Sequence, residues 1–252
     1  MRSFHHTDFR IERAPASACL PAKRCERTIG AAVASVAAVV EEVVVVAADE
    51  PTAREAERAG ARVLRESEMD GPVRGKGDAM RRAVPELRCD LVVLLDADVP
   101  ELPPHYATGL LGPLVGGEAD FVKAFYRRPL GDDPEGGGRV NHLMARPALR
   151  VFFPELAVVR QPLAGEVAAR RELLERLPFA DGYGVEIAML IAAWRAVGLE
   201  RMAQVDLGVM EHEHQPLPAL TDMAETVLRT IVAAAAGERE AFALRDSRSE
   251  YP

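Results

Sequence analysis

The stretch Leu-Val-Val-Leu-Leu-Asp-Ala-Asp at residues 91–98 constrains the fold more than any other part of the chain. Its five apolar residues predict a strand buried on both faces, as in the middle of a parallel sheet. Asp96 and Asp98 follow directly, and in extended chain a spacing of two residues directs both side chains the same way. Two carboxylates at the end of a buried strand are costly unless a cation lies between them.

The carboxyl edge of an open α/β sheet is also where ligands bind. The Asp-x-Asp pair therefore predicts a site that holds a divalent cation and, through it, a diphosphate. The alternative is a polar strand end with two solvated acids. Because such pairs occur by chance in many chains, the choice depends on the rest of the sequence.

Composition limits the possible partners. The chain has 252 residues, 48% of them apolar, and a net charge of −8 with a pI near 5.4. The length allows one large α/β domain or one domain with an appendage, and the apolar fraction is enough for a full core. The net charge argues against a nucleic-acid or anionic-membrane partner. Cys19, Cys25 and Cys89 show no metal or redox spacing, and the longest apolar stretch, residues 29–40, is too short to span a bilayer. No signal peptide is visible, so we expect a soluble cytoplasmic protein.

The order of elements predicts a doubly wound, mostly parallel sheet flanked by helices. Residues 1–15 are expected to form an arm or edge segment. Thr28 is expected to cap the first helix, and Pro51 to lie in the first turn of the second. The predicted strands are residues 16–20, 42–47, 61–64, 91–95, 120–126 and 202–209, the last continuing to 214. The predicted helices are residues 29–40, 52–59, 78–84, 103–114, 167–177, 187–197 and 216–236.

Two glycine-rich segments are candidates for binding anions. Gly75 and Gly77 flank Lys76, so the backbone can approach an anion that the ammonium also reaches. The full P-loop spacing is missing, and an ordinary exposed turn lysine is the alternative. The glycines at 136–138 lead into a predicted helix that begins at Arg139. Their backbone amides, the helix dipole and the guanidinium of Arg139 could together bind an anion. A flexible glycine linker is the alternative there.

Two further acid and imidazole positions stand out. Glu186 lies in the first turn of a predicted helix, where the dipole favours its ionised form, although glutamate is also simply common there. His212 and His214 share one face of extended chain. A zinc pair would need a third soft ligand, which the nearby sequence lacks, so a single metal-binding imidazole or a surface histidine is favoured.

Taken together, these stretches resemble the retaining GT-A glycosyltransferases that make glucosyl-3-phosphoglycerate, and the related mannosyl-3-phosphoglycerate synthases. The resemblance runs from about Phe4 to the region of Ala236. Its specific parts, in order, are Pro-Val-Arg-Gly-Lys-Gly (72–77), Leu-Asp-Ala-Asp (95–98), Val-Lys-Ala-Phe-Tyr-Arg-Arg-Pro-Leu (122–130), Gly-Gly-Gly-Arg-Val (136–140), Gln-Pro-Leu-Ala-Gly-Glu (161–166), Gly-Tyr-Gly-Val-Glu-Ile (182–187) and Leu-Gly-Val-Met-Glu-His (207–212). Seven motifs in the same order leave little room for chance.

The resemblance implies a single GT-A domain over residues 1–252. Its nucleotide-sugar half covers about residues 14–125, its acceptor and metal half about 126–236, and a charged tail 237–252. It implies Mg²⁺ or Mn²⁺ as the cofactor, a nucleoside-diphosphate sugar and 3-phosphoglycerate as substrates, and a homodimer.

It also implies a set of site residues. The implied metal ligands are Asp96, Asp98 and His212, and the implied catalytic residues are Glu186, Asp98 and Lys76. The sugar donor is expected at Pro21, Ala22, Asp49, Lys76, Asp96, Ala97, Leu163, Gly165 and Glu166. The acceptor is expected at Gly138, Arg139, Asn141, His214 and Gln215.

The sequence departs from the family pattern mainly on the side of the nucleoside. Arg24 and Cys25 replace an amide and a carboxylate, and the turn after the second strand is shorter, which leaves Asp49 as the candidate to read the base. Met210 and Gln215 stand where the family often has arginines. The predicted function is transfer of glucose or mannose to D-3-phosphoglycerate. The alternatives are a GT-A transferase with another phosphorylated or carboxylated acceptor and a paralogue that binds a sugar nucleotide without turnover.

Overall fold

A computed structural model describes residues 1–99, 102–211 and 215–237. It contains an eight-stranded sheet with the order β1-β8-β6-β7-β5-β2-β3-β4. The strands are β1 Arg2–His5, β2 Ala14–Ala22, β3 Val40–Ala47, β4 Arg62–Arg65, β5 Leu91–Leu94, β6 Phe121–Arg127, β7 Val167–Arg170 and β8 Met202–Val209. All pairings are parallel except those of β7, which runs antiparallel to β5 and β6. The predicted α/β fold with a mostly parallel sheet is confirmed.

Helices cover both faces of the sheet. They are α1 Ile29–Ala37, α2 Glu50–Arg58, α3 Lys76–Ala83, α4 Pro104–Val115, α5 Arg146–Phe152, α6 Arg171–Arg176, α7 Val185–Val197 and α8 Thr221–Ala235. One apolar core lies between the sheet and α1, α2 and α4, and the other between the sheet and α3, α5, α6, α7 and α8. None of the helices in the described part of the chain has the length and apolar character needed to cross a bilayer.

Strand β5 is the centre of this arrangement. Val93 and Leu95 belong to one core, whereas Val92 and Leu94 belong to the other. Burying a leucine or valine side chain fully stabilises a fold by roughly 1.5–3 kcal/mol, so apolar residues on both faces fix this strand inside the sheet. The prediction of a strand buried on both faces is confirmed, and Asp96 follows it at the carboxyl edge.

The predicted helix over residues 167–177 is wrong in its first third. Residues Val167–Arg170 form β7, and α6 begins only at Arg171. Val167, Ala168 and Ala169 are buried between β5 and β6, where their backbone groups complete the sheet. The need to pair two neighbouring strands therefore overrides the helix propensity of the alanines. Because β7 is antiparallel, its amino end lies at the same edge as the carboxyl ends of β5 and β6.

Three smaller predictions concern chain ends and caps. The segment at residues 1–15 contains the edge strand β1, paired with β8, so the predicted edge position is confirmed. Thr28 occupies the predicted N-cap position of α1, but its side chain makes no capping hydrogen bond and its backbone angles are helical. Its hydroxyl instead donates to the carbonyl of Ala97 at 2.9 Å. Strand β8 ends at Val209, so its predicted continuation through Glu211 is also wrong, and residues 212–214 lie outside the described part.

Candidate active site

Three charged side chains from distant parts of the sequence meet at the carboxyl edge of the sheet. Lys76 is the first residue of α3, Asp96 follows β5, and Glu186 lies in the first turn of α7. The Nζ of Lys76 lies 2.5 Å from Asp96 Oδ1 and 2.9 Å from Glu186 Oε1. Burial alone would lower the pKa of Lys76, but the two carboxylates outweigh it and raise that pKa above its usual value. Lys76 is therefore an ammonium held between two acids.

Glycines bring the starts of α3 and α7 together. Gly75 precedes α3 with a φ of 87°, a conformation that favours glycine. A Cβ on Gly77 would overlap the carbonyl oxygen of Ala180. The first turn of α3 can therefore pack directly on the loop that leads into α7, and this contact places Lys76 beside Glu186.

A third glycine shapes the surroundings of Asp96. A Cβ on Gly165 would overlap the Asp96 carboxylate, so only glycine lets the segment before β7 approach so closely. Leu163, from the same segment, is half-buried against the core. The antiparallel β7 thus delivers Gly165 and Glu166 to the edge where Asp96 lies.

Glu166 is fully buried beside this cluster. Its Oε2 accepts a hydrogen bond of 2.8 Å from the hydroxyl of Tyr126, and its Oε1 has no partner among the described residues. Burial, with a further contribution from Asp96, raises the pKa of Glu166 to about 7, although the hydrogen bond from Tyr126 acts against this. An unpaired buried oxygen is costly, and it is available to a hydroxyl that enters the site.

Lys123 and Tyr126, both on β6, were not among the site residues expected from the sequence. Lys123 is fully buried, and its Nζ donates to the carbonyl of Ala164 at 2.5 Å, which ties β6 to the segment that carries Gly165. Burial lowers the pKa of Lys123 to about 8. The signal in the sequence was a lysine within an apolar strand, at a position where a polar residue on the solvated face is also common.

The residues expected to hold a metal can be tested by their chemistry. Asp96 is half-buried and Asp98 exposed, in a bend centred on Ala97. Both offer carboxylate oxygens, the donor type preferred by Mg²⁺ and Mn²⁺, so they fit such a cation. His212, the third expected ligand, lies outside the described residues, and the described ones contain no group of three His, Cys, Asp or Glu placed to hold a metal.

The residues expected at the nucleoside lie at the ends of two neighbouring strands. Pro21 and Ala22 end β2, and Asp49 caps α2 after β3. Asp49 accepts backbone hydrogen bonds of 2.6 Å from Arg24 and 3.0 Å from Thr52. The carboxylate expected to read the base therefore also holds the first loop against the start of α2, with Arg24 at a φ of 56°.

The acceptor residues separate into two groups. Gly138, with a φ of 64°, and the buried Asn141 line a pocket of about 390 Å³. Arg139 does not line it, and its guanidinium donates instead to the carbonyl of Gln215. Gln215 is exposed, and His214 lies outside the described residues. Four other arginines line the pocket: Arg127, Arg128, Arg146 and Arg160.

A mostly parallel sheet with carboxylates and a lysine at its carboxyl edge defines an α/β transferase of the GT-A class. The family described as the MobA-like NTP transferase domain matches residues 18–248 of this chain. The chain belongs, within this class, to the glucosyl-3-phosphoglycerate synthase family. It is 43% identical to the synthase of Mycobacterium tuberculosis H37Rv over 233 residues, which cover 86% of this chain and 72% of the relative. It is 36% identical to the synthase of Petrotoga mobilis over 258 residues, covering 92% and 79% respectively.

Solved structures give the same family. The mannosyl-3-phosphoglycerate synthase of Rubrobacter xylanophilus matches with a TM-score of 0.87 and 38% identity, covering 100% of this chain and 85% of that one. The Mycobacterium tuberculosis glucosyl-3-phosphoglycerate synthase in complex with Mn²⁺, UDP-glucose and phosphoglyceric acid matches with a TM-score of 0.80 and 40% identity, covering 88% and 80%. The family predicted from the seven motifs is confirmed.

Proposed function

We propose that this chain transfers glucose from UDP-glucose to the free hydroxyl of D-3-phosphoglycerate, with Mg²⁺ or Mn²⁺ as cofactor. The observation that supports the proposal most directly is the pair of ion pairs that Lys76 makes with Asp96 and Glu186. They lie between the side of the sheet expected to bind the nucleoside and the pocket lined by Gly138 and Asn141. The relatives named above are synthases of the corresponding product.

The first requirement of such a transfer is stabilisation of the departing diphosphate. Asp96 and Asp98 would hold the cation, with His212 as the expected third ligand, and a bound cation supplies Lewis-acid stabilisation of the diphosphate oxygens. Lys76 adds a second positive charge. Its ammonium is already held in place by Asp96 and Glu186 before any substrate binds. A donor that is already oriented stabilises developing charge without reorganising.

The second requirement is orientation of the sugar and the acceptor hydroxyl. Leu163, Gly165 and Glu166 would contact the sugar, with the unpaired Oε1 of Glu166 accepting from one of its hydroxyls. Glu186 would orient or deprotonate the acceptor hydroxyl, since its carboxyl group lies at the edge of the sheet, 2.9 Å from the ammonium of Lys76. Holding both reactants in this geometry contributes through proximity. Retention of the anomeric configuration is part of the proposal and follows from the family resemblance.

A second candidate is transfer of mannose from GDP-mannose. It is favoured by the mannosyl-3-phosphoglycerate synthase whose structure matches the whole of this chain. UDP-glucose is our first choice because the curated relatives at 36–43% identity are glucosyl enzymes. The cytoplasmic location and the homodimer stay predictions, the second testable by light scattering of the purified protein.

One donor screen tests the proposal. The protein is incubated with Mg²⁺, D-3-phosphoglycerate and, separately, UDP-glucose, ADP-glucose, GDP-glucose and GDP-mannose, and the products are analysed by mass spectrometry. We expect a phosphorylated glucoside from UDP-glucose. The mannoside alone would favour the second candidate, and no glycoside from any sugar nucleotide would contradict the proposed activity.

A further inference from the structure

Strand β6 holds the segment that precedes β7 by hydrogen bonds from both of its faces. We call residues 161–166 the sugar-side segment, because they include the residues expected to contact the donor sugar. The hydroxyl of Tyr126 donates to Glu166 at 2.8 Å, and the Nζ of Lys123 donates to the carbonyl of Ala164 at 2.5 Å. Side chains three positions apart point to opposite faces of a strand. The segment is therefore held on two sides where it enters the site.

A lysine is a costly residue at position 123. Its side chain is fully buried on the face of β6 that also carries Phe121, and the bond to Ala164 is its one hydrogen bond among the described residues. Burial lowers the pKa of Lys123 to about 8, although Glu186 and Glu166 act to raise it, so the ammonium form predominates at neutral pH. Burying a charge with so little compensation costs free energy that a methionine of similar volume would not. Packing alone therefore does not explain this lysine.

The position of Ala164 matters because of the two residues that follow it. A Cβ on Gly165 would overlap the Asp96 carboxylate, so the segment has no spare room beside that acid. The Oε1 of Glu166 is buried, has no partner among the described residues, and is the atom proposed above to accept from a sugar hydroxyl. A misplacement of about 1 Å near a reacting group can lower a rate by about 10²-fold. A bond that fixes Ala164 therefore bears directly on the sugar.

We propose that Lys123 is a positioning residue for the donor sugar, and that it acts through the carbonyl of Ala164 to hold Gly165 and Glu166 in place. This inference rests on the proposed function. Because Lys123 is fully buried, it acts on the sugar only through the sugar-side segment. The residues expected at the nucleoside follow β2 and β3, which β7 and β5 separate from β6. Loss of the lysine should therefore weaken the hold on the sugar and spare the hold on the nucleotide.

The test compares each sugar nucleotide with the nucleotide that lacks the sugar. UDP-glucose and UDP, and separately GDP-mannose and GDP, are titrated calorimetrically with Mn²⁺ into the wild type and into Lys123→Met, which keeps the apolar volume but cannot donate. In the pair that the wild type binds, the Kd of the sugar nucleotide should rise about tenfold, whereas the Kd of the nucleotide alone should stay within about threefold. Equal changes for both, or none for either, would overturn the proposal. A wild type that binds neither sugar nucleotide would also overturn it.

A second variant and a control complete the comparison. Lys123→Gln retains an N–H donor without a charge, so it should show the same pattern to a smaller extent, and it replaces Lys123→Met if that variant does not fold. Ser17→Ala is the matched control, because Ser17 is buried in the first half of β2 and its hydroxyl donates to Glu42 at 2.6 Å. Losing that buried hydrogen bond should leave every Kd unchanged. Thermal unfolding of each variant separates a lost contact from a lost fold.

The binding measurements and the donor screen can fail separately. If the wild type forms no glycoside but Lys123→Met weakens only the sugar nucleotide, the proposed function fails and the positioning role stands. If the wild type is active and the folded Lys123 variants bind the sugar nucleotide as tightly as the wild type, the positioning role is wrong and the function stands.

Discussion

The ammonium of Lys76 lies 2.9 Å from the carboxylate of Glu186, although the two residues are 110 positions apart in the chain. Lys76 begins α3 and Glu186 lies in the first turn of α7, two helices on the same face of the sheet. The packing of Gly77 on Ala180 brings those helix starts together. Lys76 also contacts Asp96 at 2.5 Å. One lysine thus links the acid expected at the metal to the acid expected at the acceptor.

The first prediction concerns this lysine. Lys76→Met should lower kcat by roughly 10²–10³-fold, because it removes the fixed positive charge that stabilises the departing diphosphate. It also leaves the Asp96 and Glu186 carboxylates without the cation between them. Steady-state kinetics with UDP-glucose and 3-phosphoglycerate measure the effect. Arg176→Met, at an exposed position of α6 far along the chain, serves as the control and should retain full activity. A Lys76→Met enzyme with wild-type kcat would contradict the role proposed for the lysine.

Much of this edge could be predicted because the signal is local. Leu91–Leu95 are apolar on both faces of a strand, and that pattern alone predicts a central strand with Asp96 and Asp98 at its end. The contact between Lys76 and Glu186 could not be derived from the sequence in the same way. It depends on Gly77 lying against Ala180, and a glycine gives no indication of which distant backbone it will approach.

The errors have equally specific causes. Residues 167–170 contain two alanines and an arginine, a composition that suits a helix, and only the gap between β5 and β6 makes them a strand. A lysine at position 123 suggested a strand with one solvated face. Lys123 is instead fully buried, because its ammonium donates a hydrogen bond to the carbonyl of Ala164. The arginines that line the pocket beside Gly138 come from three segments with no common spacing, so no sequence motif predicted them.

The second prediction is dependence on a divalent cation. Treatment with EDTA should abolish transfer, and Mg²⁺ or Mn²⁺ should restore it, because oxygen donors such as Asp96 and Asp98 prefer these ions. Asp98→Asn should raise the cation concentration needed for half-maximal activity, because the variant keeps one ligand oxygen but loses a charge. Initial rates over a titration of each metal measure this. Full activity after dialysis against EDTA would contradict the proposed cofactor.

The third prediction uses the close approach of Gly165 to Asp96. Gly165→Ala should lower kcat at least about tenfold, because a Cβ there overlaps the Asp96 carboxylate and must displace it. Gly30→Ala is the matched control: Gly30 lies in α1 and a Cβ there would meet open space, so alanine should leave activity unchanged and stabilise the fold by up to about 1 kcal/mol. Steady-state kinetics and urea unfolding are measured for both variants. An equal kcat for Gly165→Ala and Gly30→Ala would show that the close approach of Gly165 to Asp96 does not affect the transfer.

The fourth prediction follows from the burial of Glu166. Its pKa rises from 4.5 to about 7 on folding, so between these pH values the folded state holds a proton that the unfolded state has lost. The unfolding free energy should therefore fall as the pH rises from about 4.5 to 7, because an ionised carboxylate must then remain buried. Glu166→Gln cannot ionise and should lack this contribution. Over this pH range, the unfolding free energy of the wild type should fall by roughly 1–3 kcal/mol more than that of Glu166→Gln.

Urea unfolding at pH 5.0 and 7.5 measures this difference directly. Glu172→Gln is the control, because Glu172 lies on α6 with 82% of its side chain exposed, so this variant should keep the pH dependence of the wild type. Tyr126→Phe provides a second check. It removes the hydrogen bond that favours the charged form, so the pKa of Glu166 should rise further and the loss of stability should extend to higher pH. Identical pH dependence in the wild type and Glu166→Gln would mean that this carboxyl keeps an ordinary pKa in the folded protein.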